Sequence, residues 1–134
     1  MNQLNLINIP CSPGELIDKM TILAIKQDQI DNQAKLKYIN EEIKTLLPLL
    51  NNLESLLHDY SYYYNNLKSI NLALWNIEDD LRAMEAAKKF DDEFIEKARL
   101  VYKTNDKRAA LKLEINQILG SNIAEQKQHP TYNH

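Results

Sequence analysis

Two helical stripes run side by side through the middle of the chain. One is apolar, repeats at alternating steps of four and three, and consists of Tyr63, Leu67, Ile70, Leu74, Ile77, Leu81 and Met84. The other keeps the same steps one residue later and consists of Asn71, Trp75, Glu78, Arg82 and Glu85. Because one residue turns a helix by about 100°, the second stripe flanks the first. The pattern predicts a long helix with an apolar face in a core and charged side chains at the edge of that core.

The same periodicity predicts three further helices and an all-α fold. Gly and Pro weaken helices, and the chain contains only two Gly and four Pro in 134 residues. The predicted helices span about 13–30, 33–57, 60–88 and 91–119. Short connections favour an antiparallel bundle of about four helices, and the length favours a single domain over 1–134.

Local signals mark the ends of these helices. Ser12 and Glu15 form a capping box around Pro13, which suits the first position of a helix. Asp91 is expected to cap the start of the last helix, and Gly120 is expected to cap its end.

Two residues inside predicted helices leave alternatives open. Pro48 lies in the middle of the second helix, where a proline costs about 3 kcal/mol, so a kink or a break is expected there. The apolar heptad keeps its register across Pro48, so the element should continue beyond it. Asn105 falls on the apolar stripe of the last helix. Either Asn105 or Asp106 recaps a broken helix, or one continuous helix turns both side chains towards the bundle, and the second alternative is favoured.

The two ends of the chain are expected to differ from the bundle. Residues 4–9 partly alternate between apolar and polar side chains, which predicts a short extended segment. Residues from about 121 to 134 are mostly polar and read as a tail. This tail is expected to dock through Ile123 and to be disordered near its end.

Composition argues against several classes of protein. The net charge of −3 gives no sign of nucleic-acid binding, and no apolar run is long enough to span a membrane. A single cysteine, Cys11, excludes an internal disulfide and a cysteine-bound metal cluster. The histidines lack the spacing of metal ligands; they are His58, His129 and His134. A magnesium site bound by carboxylates of Glu78, Asp79 or Asp106 is left open, but no metal and no other cofactor is assigned. With no signal-peptide pattern, a cytoplasmic protein is expected.

The charges are unevenly distributed along the third and fourth helices. From Glu78 to Glu96 the chain carries eight acidic residues, and from Lys97 to Lys112 it carries six basic residues against Asp106 alone. Complementary charges on neighbouring helices explain this distribution better than a face that attracts anions.

The third and fourth helices should pack antiparallel because only a short turn near Phe90 joins them. Facing residues in such a hairpin have numbers that sum to about twice the number of the turn. This relation places Glu78 opposite Arg99 and Tyr102, Trp75 opposite Asn105 and Asp106, and Asn71 opposite Arg108. Each of these three residues of the polar stripe therefore acquires a predicted partner on the fourth helix.

Two interpretations of this polar cluster are open, because buried charges must be paired, hydrated or bound to a ligand. The first is a salt-bridge network that satisfies itself and fixes the register of the helices, and the sequence favours it slightly. The second is a pocket in which basic side chains bind an anion, with Glu78 or Asp106 as an acid or base. The basic side chains of that pocket would be Arg82, Arg99, Arg108 and Lys112.

The candidate ligand-binding cluster lies between the first, third and fourth helices. It consists of Glu15, Lys19, Trp75, Glu78, Arg82, Arg99, Tyr102, Asn105, Asp106 and Arg108. We expect a non-catalytic module that binds an anionic small molecule or a partner protein, with a homodimer left open. The alternative is a small enzyme that acts on a phosphorylated or carboxylated substrate at Glu78, Arg82 and Arg99. No catalytic residue is assigned.

Three blocks of the sequence carry a resemblance. They are Ser-Pro-Gly-Glu-Leu-Ile-Asp-Lys at the start of 12–23, Leu-Trp-Asn-Ile-Glu at the start of 74–82, and Val-Tyr-Lys-Thr-Asn-Asp within 94–110. Together they resemble the signature blocks of an uncharacterised family of short bacterial helical proteins, a domain of unknown function. The resemblance spans roughly Ile9 to Lys127, and the stretch from Pro48 to Tyr64 lies outside the blocks.

The resemblance implies pattern positions rather than an activity, because the family carries no established activity to transfer. The residues in pattern positions are Ser12, Glu15, Asp18, Lys19, Trp75, Glu78, Asp79, Arg82, Arg99, Tyr102, Asn105, Asp106 and Arg108. They overlap the polar cluster that the hairpin relation places together.

Overall fold

Four α-helices make up a computed structural model that describes residues 6–121 and 128–132. The helices are α1 (Pro13–Gln29), α2 (Gln33–Leu56), α3 (Tyr60–Ala86) and α4 (Asp92–Ile118). No strand occurs in the described ranges. The predicted all-α fold with four helices is confirmed, and each boundary lies within one helical turn of the predicted one.

The capping signals act as the sequence predicts at the starts of α1 and α4. Ser12 Oγ accepts a hydrogen bond from the Glu15 backbone N–H at 3.3 Å, and Pro13 occupies the first turn of α1. Asp91 Oδ1 accepts from the Phe94 backbone N–H at 3.2 Å. These bonds satisfy backbone donors that a helix start leaves without a partner.

Two left-handed residues shape the ends of α3 and α4. Gly120 has a φ of 65°, and the Ser121 N–H donates to the Asn116 carbonyl at 2.8 Å. Lys88 has a φ of 54°, and the Lys89 N–H donates to the Met84 carbonyl at 2.8 Å. Both bonds belong to the pattern in which a left-handed residue ends a helix. Gly120 adopts this conformation without a steric penalty, whereas Lys88 carries a Cβ into it.

Pro48 and Asn105, where the sequence left a break in the helix open, both lie in continuous helices. α2 continues through Pro48 without an interruption, so of the two expected outcomes, a kink or a break, the break does not occur. Pro48 is exposed, while Leu46 and Leu50 of the same helix pack into the core, so tertiary contacts hold both halves of α2 in one register. α4 is also continuous through Asn105, as favoured from the sequence.

The core is centred on α1, which packs against the other three helices. It gathers apolar side chains from every helix, namely Ile17, Met20, Leu23, Ile39, Leu50, Leu57, Tyr63, Leu67 and Ile115. These residues place the core where α3 begins and α4 ends. The apolar stripe of α3 is therefore fully buried at Tyr63 and Leu67 and only partly buried from Ile70 to Leu81.

The ends of the chain are described in part. Residues 6–12 adopt neither helix nor strand, and the side chains of Leu6 and Ile7 are exposed. The first two residues of the predicted extended segment and the predicted docking residue Ile123 lie outside the described residues. In the described portion of the chain, none of the helices is long and apolar enough to cross a membrane.

Candidate functional site

A buried carboxylate joins three helices. Asp18 of α1 is only 2% exposed, and the Arg108 guanidinium of α4 donates to it twice, from Nε to Oδ1 at 2.9 Å and from Nη2 to Oδ2 at 2.5 Å. Asn71 Nδ2 of α3 donates to Asp18 Oδ1 at 2.8 Å and to Thr21 Oγ1 at 2.9 Å. Two-point guanidinium–carboxylate pairing of this kind is strong and directional. We call Asp18, Thr21, Asn71 and Arg108 the Asp18 network.

The sequence positions of these residues explain why they meet. Asp18, Ile22 and Ile25 follow one another at steps of four and three, so they share one face of α1. Thr21 lies beside them, is fully buried, and its hydroxyl donates to the Asp18 backbone carbonyl at 2.7 Å. A carboxylate in an apolar stripe was the available signal, but the candidate cluster drawn from the sequence omitted Asp18.

An open cavity of about 480 Å³ lies beside the Asp18 network. Its lining residues come from three helices and are Ile22, Ile25, Asn71, Leu74, Trp75, Glu78, Asp79, Arg82, Asn105 and Arg108. One part of the wall is apolar and includes the half-buried Trp75. The other part carries two carboxylates and two guanidinium groups.

The charged groups of the cavity fall into two kinds. Arg108 is held by Asp18. By contrast, Glu78, Asp79 and Arg82 are exposed at the cavity, and none of them makes an ion pair within 4.0 Å among the residues that the structure describes. The cavity therefore presents both signs of charge to solvent beside an indole ring.

The structure brings half of the sequence-predicted candidates to this cavity. They are Trp75, Glu78, Arg82, Asn105 and Arg108. The hairpin relation placed Trp75 opposite Asn105 and Asn71 opposite Arg108, and in each case both residues line this cavity. The two interpretations of the polar cluster, a salt-bridge network and a pocket, therefore each apply to one part of it. Asp18 and Arg108 form a salt bridge, and Glu78 and Arg82 line the open cavity.

Two candidates on α1 lie away from the cavity. Glu15 pairs with the buried Lys112 of α4 at 2.5 Å, and Lys19 pairs with Glu42 of α2 at 2.7 Å. The sequence predicted Lys112 among the anion-binding side chains. Instead, this residue of α4 lies beside the start of α1, where it pairs with Glu15.

Three candidates on α4 also lie outside the cavity. Arg99 is exposed and pairs with Glu96 at 3.0 Å, rather than facing Glu78. The ring of Tyr102 packs edge-on against Tyr132 at 5.2 Å, and Asp106 accepts a hydrogen bond from the Tyr132 hydroxyl.

The register of α4 explains that separation. A line of half-buried or buried residues runs along α4 at steps of three and four, and two of its members, Asn105 and Arg108, line the cavity. The line consists of Ala98, Val101, Asn105, Arg108 and Lys112. Arg99, Tyr102 and Asp106 each follow one of them by one residue, or about 100° of rotation. The hairpin relation gives the level of a residue along the helix and not the direction in which its side chain points.

Hydrogen bonds to carboxylates raise the pKa of two tyrosines in these helices and in the tail. The bond to Asp106 raises the pKa of Tyr132 to about 12. The bond that the buried Tyr63 donates to Glu114 at 2.8 Å, together with burial, raises the pKa of Tyr63 to about 12. Both tyrosines are therefore protonated donors at neutral pH.

No arrangement for a metal ion is found among the described residues. In that part of the chain no group of three or more histidine, cysteine or carboxylate side chains could hold one.

Comparison with known proteins assigns the chain to a family of unknown function. Residues 7–133 match the model of the Family of unknown function (DUF6165), and the chain belongs to that family. This agrees with the resemblance of the three sequence blocks to an uncharacterised family. No curated protein matches the chain, and no solved structure does. A function for this member must therefore be argued from the cavity itself.

Proposed function

We propose that this member of DUF6165 is a non-catalytic helical module that binds a small molecule carrying an anionic group in the cavity between α1, α3 and α4. The observation that carries the proposal concerns Arg82. Its guanidinium lies at the cavity wall and makes no ion pair with any residue that the structure describes. A guanidinium is suited to hold a carboxylate or a phosphate through two parallel hydrogen bonds.

The apolar wall supports a ligand with a nonpolar body. Trp75 and Leu74 of α3 stand beside Ile22 and Ile25 of α1 on the same cavity. A volume of about 480 Å³ lies in the range of small-molecule sites, which combine an apolar lining with a few polar groups. This size favours a small ligand over a protein partner at this place.

The Asp18 network supports the proposal in another way. It fixes α1, α3 and α4 to one another directly beside the cavity. A wall whose helices are already fixed loses little conformational entropy when a ligand binds, which favours affinity.

The arrangement favours binding over the enzymatic alternative. That alternative places Glu78, Arg82 and Arg99 around one substrate. Arg99 lies outside the cavity lining and is paired with Glu96. An enzyme at this site would therefore have to work without one of the three groups assigned to it.

Two other expectations are part of the proposal. The first is a cytoplasmic location, which is supported by a lone free thiol, Cys11, since disulfides are rare in that compartment. The second is a homodimer, for which exposed apolar side chains at the turn between α3 and α4, Phe90 and Ile95, offer a surface.

The single tryptophan provides the test. Trp75 is the only tryptophan in the chain and lines the cavity, so tryptophan emission reports on the surroundings of a cavity residue. Hydrocinnamate, a carboxylate on a phenyl body, should shift that emission in a saturable way. Arg82→Gln should weaken this binding by about tenfold or more, and Arg99→Gln should leave it unchanged. An affinity that Arg82→Gln leaves unchanged would contradict the proposal.

A further inference from the structure

We infer that the ligand is a zwitterion, in which an ammonium group lies near Glu78 and Asp79 while the anionic group meets Arg82 and an apolar body packs on Trp75. This inference rests on the proposed binding function and specifies the chemical class of the ligand. It follows from the balance of charge in the cavity, from the spacing of the charged groups and from the aromatic wall.

The charge balance comes first. The cavity lining carries Glu78 and Asp79 against Arg82 and Arg108. The charge of Arg108 is already matched by Asp18, which is bound to it through two hydrogen bonds. Two carboxylates then stand against Arg82 alone. A purely anionic ligand would be attracted by Arg82 and repelled by these two carboxylates, whereas an added cationic group on the ligand would be attracted by the carboxylates.

The spacing of these groups is the second argument. Arg82 follows Glu78 by four residues and Asp79 by three on α3, so its side chain stands one helical turn beyond both carboxylates. Residues at this spacing have Cβ atoms about 5–6 Å apart. A molecule with neighbouring ammonium and carboxylate groups, as in an α-amino acid, can therefore contact both ends of the pair.

The charges at this spacing are also not joined to each other. Glu followed by a basic residue four positions later is a favourable order for a salt bridge on a helix. Two other short-range pairs of this chain do close: Lys89–Glu93, with the reverse order at a spacing of four, at 2.6 Å, and Glu96–Arg99, at a spacing of three, at 3.0 Å. Glu78 and Arg82 do not come within 4.0 Å of each other. Both groups are thus available to a ligand at the cavity wall.

Trp75 provides the third argument. It precedes Glu78 by three residues and Asp79 by four, so the ring lies one turn before the carboxylates on the same helix face. An indole face attracts a cation and also packs against an apolar group. An ammonium group between the ring and the carboxylates would interact favourably with both.

The experiment uses matched probes that differ only in charge. Phenylalanine, hydrocinnamate and phenethylamine share a phenyl body and are respectively zwitterionic, anionic and cationic. Leucine, isocaproate and isoamylamine repeat the comparison on an isobutyl body. Each is titrated into the full chain, and binding is followed through the emission of Trp75. In at least one series we expect the zwitterion to bind about tenfold more tightly than the anion or the amine of that series. This gain is typical of one charge-assisted hydrogen bond.

Charge variants complete the test. Glu78→Gln should lower the affinity for the amino acids and the amines by about tenfold. The affinity for the carboxylates should stay unchanged or rise. Asp80→Asn is the matched control, because Asp80 lies on the same turn of α3 but outside the cavity, where it pairs with Lys97 at 3.1 Å. This variant should leave all affinities unchanged.

The results distinguish a failure of the zwitterion inference from a failure of the proposed binding function. The inference of a zwitterionic ligand is contradicted if hydrocinnamate and isocaproate bind as tightly as the amino acids. It is also contradicted if Glu78→Gln does not lower the affinity for the amino acids. In both cases anion binding at Arg82 stands. If no probe in either series changes the Trp75 emission, both the zwitterion and the proposed binding function are overturned.

Discussion

Arg108 of α4 and Asp18 of α1 lie 90 residues apart in sequence and are joined by two hydrogen bonds, at 2.9 Å and 2.5 Å. Asn71 of α3 adds a third bond to the same carboxylate. This pair fastens three helices at one point, and the cavity opens directly beside it.

The brace should be costly to break. Asp18→Ala leaves the Arg108 guanidinium without its carboxylate, and removing one partner of a buried pair costs about 3–5 kcal/mol. Because the Arg108 side chain is 28% exposed, we expect a lower loss of about 2–4 kcal/mol in the free energy of unfolding, measured in urea. Asp80→Asn removes a carboxylate from the exposed pair with Lys97 and should cost about 1 kcal/mol or less. Equal losses in the two variants would contradict the assignment of Asp18 as a brace.

The start of α1 should not tolerate a side chain at Gly14. A Cβ at this position would lie 2.6 Å from the Lys112 carbonyl oxygen and 2.9 Å from Asn116 Oδ1. The Gly14 N–H also donates to Asn116 Oδ1 at 2.8 Å, so α1 and α4 are in close contact there. In an open helix, replacing Gly by Ala stabilises by up to about 1 kcal/mol. Here we expect Gly14→Ala to lower the free energy of unfolding by about 1–3 kcal/mol, and a stabilised variant would refute the close contact.

The sequence predicts much of this fold because its signals are local. Ser12 and Asp91 cap helices through residues three positions away, so their role is visible in the sequence itself. Pro48 shows the limit of such reasoning, since the local cost of a proline is outweighed by the packing of Leu46 and Leu50 on the core.

The candidate site was predictable only in part, and two residues show why. Arg99 lies at the expected level of α4, but a one-residue offset turns its side chain away from α3 and towards Glu96. Asp18 was omitted from the candidate cluster because its partner, Arg108, lies 90 residues away in sequence. The apolar stripe around Asp18 indicates burial but does not identify that partner. Side-chain direction and long-range pairing required the three-dimensional structure.

Stability at alkaline pH should depend on Tyr63. Its hydroxyl donates to Glu114 at 2.8 Å, and this bond together with burial raises the pKa of Tyr63 from an ordinary value near 10 to about 12. A raised pKa in the folded state means that Tyr63 stabilises the fold fully below pH 10. That contribution is lost as the pH rises from about 10 towards 12.

Tyr63→Phe should therefore lower the free energy of unfolding at neutral pH by about 1 kcal/mol and weaken its decline above pH 10. Denaturant titrations at several pH values measure both effects. The exposed neighbour supplies the control, Tyr62→Phe, which should follow the wild type at every pH. An unchanged alkaline decline in Tyr63→Phe would show that the hydrogen bond to Glu114 does not contribute to it.

The central claim is that Arg82 serves a ligand while Asp18 and Arg108 serve the fold. The most direct test measures the affinity for hydrocinnamate and the free energy of unfolding on one preparation of Arg82→Gln. We predict that affinity falls about tenfold or more, as for the loss of a charge-assisted hydrogen bond, while the free energy of unfolding stays within about 0.5 kcal/mol of the wild type. An affinity that Arg82→Gln leaves unchanged, or one that falls only because the variant unfolds, would contradict the claim.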